Sequence, residues 1–532
     1  MLFDGKSLTN NSLHYSDVCI LGGGVAGIVL AKELKKKFAN IAIIESGGEQ
    51  YNQEIQNLYK AHSKPENFPD PLYSRLRFLG GSSNHWQNNT SPLSPIDFEE
   101  RSWIPNSGWP INYDEIAPYY KAAADYCGVE IYGDYNTDYW ASKLSYKDVF
   151  KDSSIVQSSI KLAASPPTRF FFKYGEELKK NDRVTIYKNS TVVDLSFDEN
   201  KRQVDSVVFQ TAPGKNHTMH SKIFVMCFGG IENARMLLIF NRKYNDKLGN
   251  QYDNVGRYFM EHPTPRAAHF YAFDKSKFPF YLHNGMENGV SVSAFIDLKE
   301  DVLRDRQLTN IRMPLVPNSR YILSHGISSM HILSESLEKG ELPDDIGLHM
   351  LNLIEDIDLI YEAYSKKLFD IDLSESAQKF GGYQIIAMME QTPDRENRIL
   401  LSDSKDVFGL NSLIVDWRLT EEDKERTWRS LEVVAQEIGA MNLGRFRLLK
   451  ERSERLWGNQ LGFSQHHMGT TRMSNSPVKG VTDSNQKVFG VNNLFVGGSS
   501  VFPTGGHVPP TLTIAALSIR LAKYIHKEYK YG

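Results

Sequence analysis

The sequence predicts an α/β fold, α+β overall: a sheet built from strand–glycine–helix units beside a larger region of mostly antiparallel strands and helices. Three observations carry this. Residues 17–34, DVCILGGGVAGIVLAKEL, join an apolar run to a glycine-rich turn and then to a helical pattern. Residues 223–237, IFVMCFGGIENARML, repeat that order. Between about 265 and 455, stretches such as GVSVSAFIDL and RILLSDS alternate with period two, as half-buried strands do. At 532 residues the chain exceeds what one hydrophobic core holds, so two large domains are expected.

In the first unit, Val18 to Leu21 form the strand, and Ile28, Ala31 and Leu34 share one face of the helix. Gly22, Gly24 and Gly27 fit G-x-G-x-x-G. The first permits the tight turn, the second admits a pyrophosphate against the backbone, and the third lets helix and strand pack closely. The helix start offers free N–H groups to the phosphates. A second strand over IAIIES ends in Glu45, placed to accept hydrogen bonds from the ribose hydroxyls of an adenine dinucleotide. This is a Rossmann-like nucleotide cradle, and by itself it leaves NAD and FAD both open.

A second glycine turn follows at 79–88, LGGSSNHWQN, preceded by Arg75 and Arg77, expected partners for pyrophosphate charge. A histidine after such a turn, running under the flavin end of an extended FAD, can hydrogen-bond the ring system or bond covalently to its methyl carbon. Towards the C-terminus stand SQHHMGTTRM (464–473) and then a short strand at Leu494 to Val496, a glycine–serine turn, and a Pro-Thr-Gly-Gly loop. A final amphipathic helix begins near Thr511. Thr511 and Thr513 are expected to cap it. Its N-terminus suits a group that gains negative charge.

These motifs together resemble the glucose–methanol–choline oxidoreductase family, FAD enzymes that oxidise alcohols. The resemblance spans nearly the whole chain, and GGSSNHW is especially similar to the pyranose-oxidase-like branch. It implies that Gly81, Ser82, Ser83, His85, Val192, Ser499, Pro510 and Thr511 hold FAD together with Gly22, Gly24, Gly27 and Glu45. His85 would be the covalent attachment point, with simple packing beside the flavin as the alternative. In H-x-x-G-T, His466 takes the catalytic place, as the base that removes the hydroxyl proton while hydride passes to flavin N5. His467 would be structural, although one sequence does not exclude the reverse assignment.

The chain departs from the family at Pro509, where relatives place Asn or His to assist the base. Either His507 substitutes, or His466 works alone, or the activity is altered. The resemblance also sets domain limits: 1–95, 165–264 and 456–532 for the FAD-binding domain, 96–164 and 265–455 for the substrate domain and cap. An insertion at 335–367 spaces Leu348, Leu351, Ile354, Ile357 and Ile360 as a core-facing helical stripe, with cover of the site entrance as the alternative.

The expected substrate is a sugar, glycoside, amino sugar or other polyol. The expected acceptor is oxygen or a redox partner. Three alternatives stand beside this reading. One is a flavin-binding protein with impaired catalysis. Another is a non-sugar alcohol dehydrogenase using a quinone or haem acceptor; the chain has no C-x-x-C-H, so any haem would belong to a partner. The third is an NAD enzyme using the first motif alone. A net charge of −3 implies no nucleic-acid surface. Cys19, Cys127 and Cys227 lack metal-ligand spacing, and three cysteines in so long a chain suit a reducing compartment. No apolar stretch reads as a signal peptide or membrane span, and a cytoplasmic protein is expected.

Overall fold

The computed structural model describes residues 1–64, 68–129, 135–282, 285–317, 325–340, 342–343, 345–358, 360–361, 382–449 and 461–529. The largest sheet begins with five mutually parallel strands in the order Leu2–Asp4, Val184–Lys188, Ile41–Ile44, Ser12–Leu21 and Asn216–Met226. Gln203–Gln210 and Thr191–Asp198 extend it antiparallel, and Leu494–Val496 pairs parallel with Asn216–Met226. The central strands are buried and apolar (Val18, Cys19 and Ile20; Ile41 to Ile44), as strands covered on both faces must be. Helix Val25–Leu34 covers the sheet, and the final helix Thr511–Glu528 packs against it. Residues 184–198 form two strands, Val184–Lys188 and Thr191–Asp198. Asn189 sits at φ +54°, a left-handed conformation that asparagine tolerates, and breaks the strand between Lys188 and Thr191.

The rest of the chain supplies antiparallel sheets. One orders Leu315–Pro317, Gly382–Ile386, Pro263–Ala272 and Gly444–Leu448, with Leu461–Phe463 also on Pro263–Ala272. Another orders Gly285–Glu287, Val290–Leu298, Ile311–Met313 and Met388–Met389, with Val156–Ala164 paired along Val290–Leu298. A third is mixed: Arg398–Lys405 pairs antiparallel with Asn411–Asp416, which pairs parallel with Ala61–Lys64, joining a segment assigned above to the FAD-binding part with one assigned to the substrate part.

One expectation is overturned. Helix Ile346–Glu355 has no buried residue. Leu348, Leu351, Ile354 and Ile357 are 51%, 59%, 65% and 66% exposed. This helix packs against helix His325–Lys339, and Ile360 is the one stripe residue that is half-buried, beside Gly326; among the described residues the rest of the stripe faces no core. Residues 362–367 of the insertion lie outside the described residues.

Candidate active site

Backbone geometry explains each glycine of the cradle. Gly22 has φ +113°, and a Cβ there would meet the Cys227 carbonyl oxygen at 2.5 Å. A Cβ on Gly27 would stand 2.1 Å from the Gly22 carbonyl oxygen, which is the close helix–strand approach the spacing predicts. Around Gly24 nothing lies within 4 Å, so its backbone faces open space. That space belongs to a cavity of about 560 Å³.

Gly22, Gly24, Glu45, Gly81, Ser82, Ser83, His85, Val192, Ser499, Pro510 and Thr511 all line this one cavity, and so do His466, His467 and Pro509. Gly27 is the single proposed cofactor-binding residue that does not, acting from behind through packing. Glu45 accepts from the Gly23 and Gly47 N–H groups, both at 2.8 Å, which holds its carboxylate at the cavity wall. Val192 sits at a break in strand register between 192 and 194, where a β-bulge turns backbone polar groups away from the ladder. Gly229, at φ +97°, likewise has nothing within 4 Å. An open glycine cradle at a helix start, an acidic strand end and a bulged strand edge on one cavity fit FAD.

The turn Gly81–Asn84 begins after Gly80 at φ +95° and ends at His85. The Ser83 hydroxyl donates to the Gly80 carbonyl at 2.7 Å, which stiffens the turn. His85 is half-buried. Burial, and then the nearby Arg169 charge, lower its pKa, so the imidazole is neutral. Arg75 and Arg77 also line the cavity, but their charge is shared with an acid that sequence reading did not pair. Arg77 donates to Glu232 at 3.0 Å, Arg75 reaches it at 3.5 Å, and Arg235 donates to it at 2.7 Å. Burial opposes ionisation of Glu232, but the three guanidiniums prevail and hold its pKa at about 2. Arg75 and Arg77 stack in turn on the ring of Tyr59.

At the candidate base, His466 Nδ1 lies 2.9 Å from His262 Nδ1, and His262 Nε2 lies 3.3 Å from the Gly505 carbonyl oxygen. A carbonyl only accepts, so His262 carries its proton on Nε2 and its Nδ1 is an acceptor. Burial lowers the pKa of His262 to about 4, so it is neutral. His466 therefore donates from Nδ1, and its Nε2 carries the lone pair. Among the described residues Nε2 has no hydrogen-bond partner. Burial, then the neighbouring His262 and His467, hold the His466 pKa well below the ordinary imidazole value.

Glu261 fixes the backbone of this loop, accepting the N–H groups of His262 and His466 at 2.7 Å each on Oε1. Deep burial raises the Glu261 pKa to about 8 despite those bonds. Glu261 and His262 contact the candidate base, and sequence reading treated them only as a domain crossing. The one signal was the EHP that closes NVGRYFMEHP. His467 lies with its Nε2 3.8 Å from Glu261 Oε2, and its carbonyl accepts from Ser499 Oγ at 2.6 Å.

Two C-terminal expectations meet different geometry. The last helix has Pro510 at its N-cap and no side-chain cap. The Thr513 hydroxyl pairs instead with that of Tyr120 at 3.1 Å. The helix thus presents uncapped N–H groups beside cavity residues Pro510 and Thr511. His507 does not line the cavity. It is buried, with Nε2 2.9 Å from Asp297 Oδ2 and Nδ1 unpartnered among the described residues. At the preceding Gly506, φ is +58°, and a Cβ there would stand 2.6 Å from Leu93 Cδ2 and 2.7 Å from Asp97 Oδ2. The wall at position 509 is therefore apolar. Among the described residues no group of His, Cys, Asp and Glu could hold a metal, and no helix is long and apolar enough to cross a membrane.

Residues 393–518 match the family model of the GMC oxidoreductases. A 2-methyl-1,2-propanediol dehydrogenase of Mycolicibacterium austroafricanum is 22% identical over 97% of this chain and 96% of its own length. The fructose dehydrogenase large subunit of Gluconobacter japonicus is 22% identical over 99% and 100%. A 6'''-hydroxyparomomycin C oxidase of Streptomyces lividus is 21% identical over 96% and 91%. Among solved structures, pyridoxine 4-oxidase from Mesorbium loti superimposes with a TM-score of 0.58 at 16% identity, covering 97% of this chain and 100% of that one. A formate oxidase superimposes with a TM-score of 0.56 at 15% identity, over 98% and 99%. The cradle, the cavity and the histidine pair thus stand in a chain whose residues 393–518 match the GMC oxidoreductase model and whose whole length is similar to named alcohol and sugar oxidases and dehydrogenases.

Proposed function

We propose that this CH–OH oxidoreductase acts on a sugar, glycoside, amino sugar or other polyol, with His466 as the base that removes the hydroxyl proton. The observation that carries the reading is the His262–His466 contact, which leaves His466 Nε2 as an unprotonated acceptor in a cavity shaped for FAD. FAD, when bound, supplies the acceptor for the two electrons that leave the alcohol carbon. Names of full-length relatives support the substrate class, since they refer to a diol, fructose and an aminoglycoside. With proline at 509 and His507 outside the cavity, His466 works without a polar side chain at 509. His85 is the tether in this reading: a neutral, half-buried imidazole at the cavity wall is free to bond the flavin's methyl carbon.

The apolar wall at 509 also favours a second reading, a flavin protein with impaired catalysis. One experiment separates the two. The visible spectrum of the purified protein is recorded and the protein is precipitated with acid. Yellow in the washed pellet, moving to the supernatant in His85→Ala, supports the tether; yellow released from wild type sinks it. Anaerobic bleaching by a polyol panel, slowed about 10²- to 10⁴-fold in His466→Ala, supports catalysis by His466. A panel that bleaches nothing leaves the second reading. Reoxidation by oxygen against dyes then separates oxidase from dehydrogenase.

A further inference from the structure

Two segments far apart in the chain carry the histidines of the site, and one buried carboxyl ties them. Met260 and Met468 exchange backbone hydrogen bonds at 3.0 Å in both directions, which aligns residues 258–262 with 466–470. Glu261 adds a tie to His466 itself. Its Oε1 accepts the N–H groups of His262 and His466 at 2.7 Å each, and the Gln465 N–H also bonds the carboxyl. Gln465 holds φ +59°, a left-handed conformation uncommon outside glycine. Successive N–H groups about such a residue make a concave seat for an anionic oxygen. From the other side the Glu261 N–H donates to Gln391 Oε1 at 3.0 Å, and Trp417 Nε1 donates to that same oxygen at 2.9 Å.

The second oxygen has no such tie. Glu261 is 1% exposed, and its Oε2 is buried with no hydrogen-bond partner among the described residues. His467 Nε2 stands 3.8 Å from it. Two effects oppose each other at a carboxyl so placed: the N–H seat favours the anion, and burial favours the acid. Burial prevails and pushes the pKa up to about 8. The titratable groups around it do not change charge in that range. On its own segment, burial holds the pKa of His262 at about 4. On the facing segment, burial holds that of His467 at about 3 and that of His466 well below the ordinary imidazole value. Glu390, next to Gln391, is paired with Arg101 at 2.5 and 2.8 Å. Arg75, whose charge acts on His467, answers to Glu232.

We propose that Glu261 is a positioning residue for proton removal: its Oε1 aims His466 through the backbone, and the proton on its Oε2 decides whether a negative charge stands behind the base. This rests on the reading of His466 as the group that takes the hydroxyl proton. When His466 Nε2 takes that proton, the ring becomes an imidazolium. A carboxylate bonded to the N–H of the same residue stabilises that cation, and a neutral carboxyl does so far less. Proton removal is therefore faster once Oε2 has lost its own proton to solvent.

The test follows the full-length, FAD-loaded protein, carrying ¹⁵N-histidine, by NMR from about pH 6 to about pH 10. The His466 ring signals, assigned by their loss in His466→Ala, should shift with a midpoint at about pH 8. Glu261→Gln keeps a carbonyl oxygen for the seat but cannot ionise, so it should retain the flavin spectrum and lose that shift. If Glu261→Gln fails to retain flavin, Glu261→Asp replaces it and should move the midpoint; an unmoved midpoint then counts against the proposal. The proposal is overturned if the wild-type His466 signals do not shift between about pH 7 and about pH 9, or if they shift equally in Glu261→Gln. Anaerobic flavin bleaching by fructose, methyl glucoside and glucitol reads the chemistry separately. A probe that bleaches should do so about three- to tenfold faster at about pH 9 than at about pH 7 in wild type, with little change in Glu261→Gln. No rise in wild type, or an equal rise in both, overturns the proposal. If no probe bleaches the flavin while the His466 shift is seen, the polyol reading of the cavity fails and the coupling of Glu261 to His466 stands.

Discussion

A single proton position decides whether His466 serves as a base. His262 Nε2 faces a carbonyl, so its Nδ1 accepts, and His466 must present a bare Nε2. In the proposed mechanism His262 is thus a positioning residue. His262→Asn should retain FAD, seen in its spectrum, while flavin reduction slows roughly tenfold or more, short of the loss on removing His466. A shift in the pH profile should accompany it; a slower rate with an unmoved profile would speak for a merely structural role. The wild-type profile has a definite sign. The His466 pKa lies well below the ordinary imidazole value, so the base stays unprotonated as pH falls through about 6.5. The kcat/KM of wild type should stay flat there and decline only in more acidic buffer. A break at 6.5 would assign the base elsewhere.

At the scale of elements, the cradle and the last helix answer to different kinds of information. Helix Val25–Leu34 can approach its strand only because residue 27 has no Cβ, since one would stand 2.1 Å from a backbone oxygen. Gly27→Ala should push the helix outward, cost about 1–3 kcal/mol in denaturant unfolding, and weaken FAD retention. An unchanged midpoint with full flavin would refute that packing role. This much is local and legible, because a glycine pattern between a strand and a helix specifies its own geometry. The cap of helix Thr511–Glu528 was not legible. Thr513 looks like a capping residue, yet its hydroxyl is taken by Tyr120, 393 positions earlier in the chain. No local rule counts such a competitor.

Over the whole molecule, the insertion tests how periodicity is read. Its apolar stripe has helical spacing, but a stripe says only that a face is apolar, not that something covers it. Ile354 is 65% exposed. Ile354→Lys should therefore leave the unfolding midpoint within about 0.5 kcal/mol of wild type. A loss of several kcal/mol would restore the core-facing reading.

By itself the sequence determined the nucleotide cradle, the glycine turn ending in His85, the His466 segment and the α/β class, because each depends on residues a few positions apart. Only the tertiary structure decided which distant groups meet. His262 reaches His466 across 204 positions, Glu232 takes up Arg75 and Arg77, and His507 leaves the cavity for Asp297. The physical reason is that protonation state, charge balance and burial are set by neighbours in space. A chain of this length brings those neighbours together from segments whose spacing carries no local signal.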